Sequence, residues 1–508
     1  MKRLLALILC AMMLAPTFAS CSEKSQDGGE TTPSTTADAS TPSGDETGVA
    51  EEELTEYEKR QLIPDDLPDT TFNGEEFRVL TNADGYSGRV IKTIEIAVDE
   101  LTGDVCNDAV YNRNLRIEDR FDVKITCGTD TDPQSYVNTF VTAGTDDYHV
   151  VGFYNYLAAT PIAGKSLLDW NDAPYVNLEK PWHNKLANDQ ATVYGTLYAA
   201  CSDLSLSSMT YTYAYFANIN LLEEYTYSTQ DMYDLVKSGE WTVDKFIEIT
   251  TPMYQDKDGD GKAGVNDVFG FGYQPTNPPD VWLSAFNQPI VEINEQGAVE
   301  MAFMTEKTVA IVEKLVSWHE NTEGFYRYGT QYDEEKYFNS GNLVFAPLRF
   351  YTAYNVLREM EDAYTILPWP KWDEQQDKYY TSADDKFTVF GLPLTSYGML
   401  DFVSIMYEVM SAETYKTVYP EYYDTALKGK YSAEKETAEM VDLIMEGRDF
   451  DFSFQFSGSV FKDIPYFVRR KIESYTTNIA SDYKKVEKSV NKSIEKQINE
   501  LYMDMSGD

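Results

Sequence analysis

The stretch NDAVYNRNLRIEDRFDVKIT, residues 107–126, changes its hydrophobic period part of the way along. From Asn107 to Phe121 the apolar residues Val110, Ile117 and Phe121 share one face of a helix, whereas Asp122-Val123-Lys124-Ile125-Thr126 alternates as a strand does. Upstream, Phe77-Arg78-Val79-Leu80-Thr81 reads as a strand, and downstream His149-Val150-Val151-Gly152-Phe153 reads as another. Strands that alternate with helices predict βαβ units, a mostly parallel sheet and an α/β fold.

Further along, helix becomes more frequent. Thr305 to His319 carries Val309, Val312, Leu315 and Val316 at helical spacing, and Gly398 to Met410 carries Phe402, Ile405, Met406 and Val409. Between them Thr365-Ile366-Leu367-Pro368-Trp369-Pro370 reads as a strand ended by prolines, and Lys386 to Pro393 holds another apolar run. A charged helix from Lys484 has a narrow stripe of Val486, Val490, Ile494, Ile498 and Leu501, which predicts packing against the body.

The first 21 residues set the compartment. Met1, Lys2 and Arg3 are followed by an apolar run from Leu4 to Ala15, then by Phe18-Ala19-Ser20-Cys21. The run is too short to cross a bilayer, so residues 1–20 read as a cleaved lipoprotein signal with lipid carried on Cys21. Ser22 to Gly48 is Ser, Thr, Gly, Pro, Asp and Glu with almost nothing to bury, and residues 21–71 are expected to form a flexible low-complexity tether. Residues 72–508 are then the folded part, large enough for two lobes, and no other apolar run is long enough to span a membrane. The expected location is the extracellular face of the cell membrane.

The chain of 508 residues carries a net charge of −42, which becomes −44 once Lys2 and Arg3 leave with the signal. Such a field repels nucleic acid and anionic headgroups, so no nucleic-acid partner is expected. Beyond the signal and Cys21 remain Cys106, Cys127 and Cys201, without zinc-binding spacing; all three read as buried and structural, with a Cys106–Cys127 bridge left open. Three histidines do not make a metal cluster, and no nucleophile elbow, phosphate loop or zinc-protease helix is present, so no catalytic residue is named. The 38 tyrosines and 7 tryptophans suit core packing and stacking on sugar rings alike.

Asp256 to Asp267 matches the twelve-residue calcium loop. Asp256, Asp258, Asp260 and Asp267 fall at positions 1, 3, 5 and 12, Gly261 allows the turn, and Lys262 offers its backbone carbonyl. A structural calcium ion is the expected cofactor.

Several segments in their order resemble the lipoprotein extracellular solute-binding proteins, family 1 type, of carbohydrate ABC transporters. These are the signal and tether; Gly103 to Asn114 leading into Phe121-Asp122-Val123; Gly239 to Phe246; the acidic loop ending in Phe269-Gly270-Phe271; and Phe338 to Asn342 followed by Ile366 to Lys371. The resemblance spans Phe72 to about Ser474 and implies a helix-rich, two-lobed periplasmic-binding-protein-like fold (type II) with lobes joined by hinge crossovers. It also implies a monomer that captures a carbohydrate, an oligosaccharide, and delivers it to ABC permease subunits. The ligand-binding residues it implies are Tyr154 and Asn155 after the third strand, Asp203 where the chain returns to the cleft, and Trp282, Arg349 and Tyr351 on loops. Trp241 and Trp318 are assigned to packing. The rival reading is a surface glycan-active enzyme or adhesin, which in enzyme form needs two carboxylates facing across a cleft.

Overall fold

The computed structural model describes residues 54–83, 96–274, 276–330, 332–429 and 435–506. The export signal, Cys21 and the tether as far as Glu53 lie outside the described residues.

The helix read from Asn107 spans Val105–Phe121, because Asp104 caps it by accepting from the Cys106 and Asn107 amides, both at 3.1 Å. It stops where Asp122 turns left-handed at φ 48°, and the chain passes directly into the next strand. The helix from Thr305 spans Glu306–Asn321 with Thr305 as its cap, and the last helix starts earlier than expected, at Ile479.

The first sheet takes β1 (Glu75–Asn82), β2 (Val123–Asp130), β3 (Val150–Tyr154) and β4 (Leu167–Leu168). The second takes β5 (Tyr213–Asn218), β6 (Tyr254–Gln255) and β7 (Val268–Tyr273). After a hairpin of β8 (Val291–Ile293) and β9 (Val299–Met301), it adds β10 (Phe325–Arg327), β11 (Leu343–Arg349) and β12 (Tyr364–Leu367). Short β13 (Thr381–Ser382) lies on the return path, β14 (Thr388–Pro393) re-enters the first sheet, and β15 (Arg448–Asp449) pairs with β13.

The orders are β2-β1-β3-β14-β4 and β10-β7-β11-β5-β12. Within the first, β1 pairs parallel with β2 and β3 while β14 runs antiparallel; within the second, β7 pairs parallel with β10 and β11 while β5 runs antiparallel. Each sheet thus holds a reversed strand where the chain crosses between lobes, β14 in the first and β5 in the second, and short β6 is also antiparallel to β7, so both sheets are mixed. The segment before β5 runs beside β14 and the segment before it, bridged at Ala200 with Phe390 of β14 and at Thr212 with Ala383. These two segments form the hinge crossovers.

One hydrophobic cluster around Phe77, Phe121, Trp170 and Phe402 fills the first lobe, and another around Phe216, Phe269, Phe338 and Leu348 fills the outer side of the second. A third runs from Phe153 through Trp241 and Trp318 to the C-terminal helices. The terminal stripe does pack on the body: Val490 and Ile498 are fully buried, the tilted Tyr502 ring lies 5.1 Å from Tyr198 in the first lobe, and Asn499 bonds both ways with the Val299 backbone in the second.

Two expectations change. Order begins before residue 72: Thr55 caps the helix Glu56–Gln61, the Arg60 guanidinium lies 4.6 Å over the Tyr419 ring, and Asp65 pairs with Arg120 at 2.5 Å. Ion pairs and one stacked arginine hold this segment, and hydrophobic periodicity does not report such contacts. Cys127, expected to be buried, is only half-buried; on the bridge left open, Cys106 and Cys127 are thiols and are not bridged, and burial pushes the Cys106 thiol up to about 12.

Candidate functional site

Open α/β sheets present ligands at the carboxyl ends of their strands. The chain leaving β3 turns at Asn155–Leu157 into the helix Ala159–Ala163, and the chain leaving β7 reaches Asn277, whose φ is 62°. Between these two ends and the second crossover is a cavity of about 580 Å³. Tyr156 faces it from the first lobe, Asn277 from the second, Asp385 and Lys386 from the crossover, and Phe456, Tyr466 and Arg469 from the C-terminal region. The Asn155 amide donates to the Phe387 carbonyl at 2.9 Å and the Tyr156 amide to the Asp385 carbonyl at 3.1 Å, so backbone bonds fix one wall.

The polar groups of this wall are paired with one another. The Tyr466 hydroxyl lies 2.6 Å from Asp385 Oδ2, and the Arg469 guanidinium sits 4.1 Å over the Tyr466 ring while bonding Asp280 Oδ2 at 2.7 Å. Burial and the adjacent Asp384 charge raise the Asp385 carboxyl, whereas Lys386 and Arg349 hold Asp384 below the usual carboxylate range against its own burial. Burial pushes Asp280 up to about 8 despite its arginine partner. The arrangement offers hydroxyl and carboxyl hydrogen-bonding groups beside three aromatic rings, with Arg469 bonded to Asp280 and Lys386 in the field of Asp384 and Asp385.

Of the six residues named from the resemblance, Arg349 and Tyr351 come together one layer behind this cavity. Arg349 donates to Asp384 Oδ2 at 2.9 Å, to Glu335 Oε1 at 3.1 Å and to the Tyr351 hydroxyl at 2.5 Å, and Tyr351 donates to Glu335 at 2.6 Å. Asp384 also accepts from Asn277 Nδ2 at 3.1 Å, which ties this hub to the cavity wall. Asn155 is likewise a backing residue: its Oδ1 accepts from Gln455, which lines the cavity, at 3.0 Å. Tyr154 is buried and stacks 6.0 Å from Tyr156.

Trp282 is a correction. It is fully buried among Tyr215, Phe286, Trp318 and Trp369, with the Trp369 ring 4.6 Å away, so it is a core residue and not a stacking platform. Asp203 also stands apart from the cavity, within the field of Arg60 and Arg448, where burial pushes its carboxyl up to about 7. Trp241 and Trp318 pack as expected: the Trp241 indole donates to the Pro368 carbonyl, and Trp318 stacks 4.4 Å from Phe271. The residues that do line the cavity went unnamed from sequence. Asp385 and Lys386 precede β14 in an Asp-Asp-Lys run, and Tyr466 ends a 3-10 turn with Arg469 in the short helix after it, neither with a periodic signal.

In the acidic loop, oxygens of Asp256, Asp258 and Asp260 lie within 4.8 Å of one another. This hard-oxygen donor set fits a calcium ion, with the Lys262 carbonyl available as a further ligand. Asp267 is outside that trio; its buried carboxylate accepts the Lys257 amide at 3.1 Å, the Gly264 amide at 2.8 Å and the Tyr254 hydroxyl at 3.3 Å, clasping the loop shut.

No family model and no curated protein matches the sequence. Solved structures do resemble it. The galacto-N-biose/lacto-N-biose I-binding protein of the ABC transporter from Bifidobacterium longum, in complex with lacto-N-biose, has a TM-score of 0.54 at 10% identity over 84% of this chain and 98% of that one. An ABC transporter solute-binding protein from Thermotoga lettingae TMO bound with α-D-tagatose gives 0.53 at 10% identity over 83% and 100%. Maltose-bound T. maritima MalE3 gives 0.50 at 13% identity over 85% and 100%. The likeness establishes the two-lobed α/β fold that these proteins share.

Proposed function

We propose that this chain is the carbohydrate receptor of an ABC transporter, anchored through lipid on Cys21 to the extracellular face of the membrane, and that it passes an oligosaccharide to permease subunits without altering it. The observation that carries the reading is the cavity between the carboxyl ends of β3 and β7, where Tyr156, Phe456 and Tyr466 stand beside Asp385 and Asn277. Rings of this kind cover the apolar faces of a pyranose while the polar groups bond its hydroxyls. Two crossovers allow one lobe to rotate on the other, and closure would present the loaded form to the permease. The fold is also that of proteins whose names state bound sugars. In the acidic loop, Asp256, Asp258 and Asp260 would hold a structural calcium ion away from the sugar.

A thermal-shift screen against neutral di- to octasaccharides tests the reading, since a ligand that binds only the folded state raises the melting temperature. A hit is expected, with the sugar recovered intact by mass spectrometry, and Tyr156→Ala is expected to weaken it by about 1–2 kcal/mol. Shortened glycans that disappear with Asp385→Asn would move the protein to the enzyme class. For the anchor, wild type is expected in the detergent phase and Cys21→Ala outside it; equal partitioning after confirmed signal cleavage rejects lipidation.

A further inference from the structure

The inter-lobe cavity has a neighbour. A second cavity of about 440 Å³ opens beside it, and the two share Ala159, Thr160, Phe456 and Ser459 as lining residues. One wall of the second cavity is the helix Ala159–Ala163, which follows directly on the Tyr156 turn. The opposite wall is the C-terminal helix, through Lys496, Gln497 and Leu501. Each cavity lies within the range of about 300–1,000 Å³ that holds a small molecule, and they meet at exposed Thr160 and Ser459, with the Phe456 ring lining both.

We infer that the two cavities form one groove, and that its outer half is a subsite for the distal units of a neutral oligosaccharide whose first units occupy the inner half. The chemistry of the outer half suits a sugar chain. Ala159, Ala163 and Leu501 make an apolar floor for the ring C–H face, and the Gln497 amide and the Thr160 and Ser459 hydroxyls reach ring hydroxyls from the rim. The ligand is neutral because the cations of the inner half already have acid partners, Arg469 bonding Asp280 at 2.7 Å and Lys386 lying in the field of Asp384 and Asp385. Length would therefore be read by the C-terminal helix, which lies outside both sheets. The inference rests on the proposed carbohydrate receptor.

The test uses the full chain and soluble malto-, cello-, xylo-, manno- and milk-type oligosaccharides of two to eight units, with affinity measured by calorimetry for each hit. Ala163→Trp and, independently on the facing wall, Gln497→Trp fill the outer cavity without touching the inner one. For wild type, tetrasaccharides and longer members of the cognate series are expected to bind at least tenfold tighter than the disaccharide. Either variant should bring them to within about twofold of the disaccharide while leaving the disaccharide unchanged. Affinity that does not depend on length, or length dependence that survives both variants, overturns the outer subsite and leaves the receptor reading standing. Failure of wild type to bind any member overturns the receptor reading, and the subsite with it.

Discussion

At the residue scale, acid groups confined among rings and other acids give the molecule a defined pH response. Burial pushes Asp280 up to about 8, and burial together with the Glu335 charge pushes Glu334 up to about 8. An acid raised in this way holds extra protons when folded, so its contribution is complete below the unfolded carboxylate range and is lost as pH rises through the folded value. His149 and His319, which burial holds at about 4 and about 3, act in the opposite sense but only as pH falls below the usual histidine range. Between about pH 6.5 and about pH 8 the carboxyls act without them, each removing on the order of 1–2 kcal/mol of stability. Urea unfolding is expected to show this decline, and Asp280→Asn to flatten it, since the amide retains an acceptor for Arg469. A slope identical in wild type and variant would mean that Asp280 is ionised throughout.

At the element scale, the acidic loop joins β6 to β7 and is shaped by its own hydrogen bonds. Asp256 accepts the Gly259 amide at 2.7 Å and the Gly261 amide at 2.9 Å, and both glycines have positive φ, 74° and 73°, which a side chain would disfavour. The loop's far end is tied to the second sheet where Asn342 donates to the Asp267 carbonyl at 3.0 Å. An ion held by Asp256, Asp258 and Asp260 should therefore brace the entry to β7 without contacting the inter-lobe cavity. Chelation is expected to lower the melting temperature by several degrees, and Asp256→Ala with Asp260→Ala to abolish that response while sugar affinity at low temperature is unchanged. Coincident melting curves with and without chelator would rule out a tightly bound ion.

At the scale of the whole described body, the lobes are linked by the two crossovers and also by the C-terminal helix. That helix touches the first lobe through Tyr502 on Tyr198 and the second through Asn499 on Val299. Asp451 adds a further tie by accepting the Ile290 amide at 2.7 Å. Closure over a ligand is therefore expected to be a small rotation, seen as a modest fall in the radius of gyration when a cognate sugar is added. Asn499→Ala should enlarge the difference between open and closed forms. Scattering curves that superpose with and without bound sugar would show that these ties lock the lobes, and the hinge would then have no role in binding.

What the sequence determined by itself was what short-range periodicity and spacing encode. The change of period at Phe121 located a helix and the strand after it, and the aspartate spacing from 256 to 260 brought three carboxylates together in one turn. Such patterns are local, so no other part of the chain is needed to read them. The cavity is different, because its walls come from positions near 156, 277, 385 and 466 that meet only after the chain has crossed between lobes and returned. Tertiary structure alone moved Trp282 into the core, set Arg349 and Tyr351 behind the wall, and placed Tyr466 and Arg469 in it. An aromatic or charged residue has the same sequence signature whether it packs inward or faces a ligand, and only the long-range contacts around it separate the two.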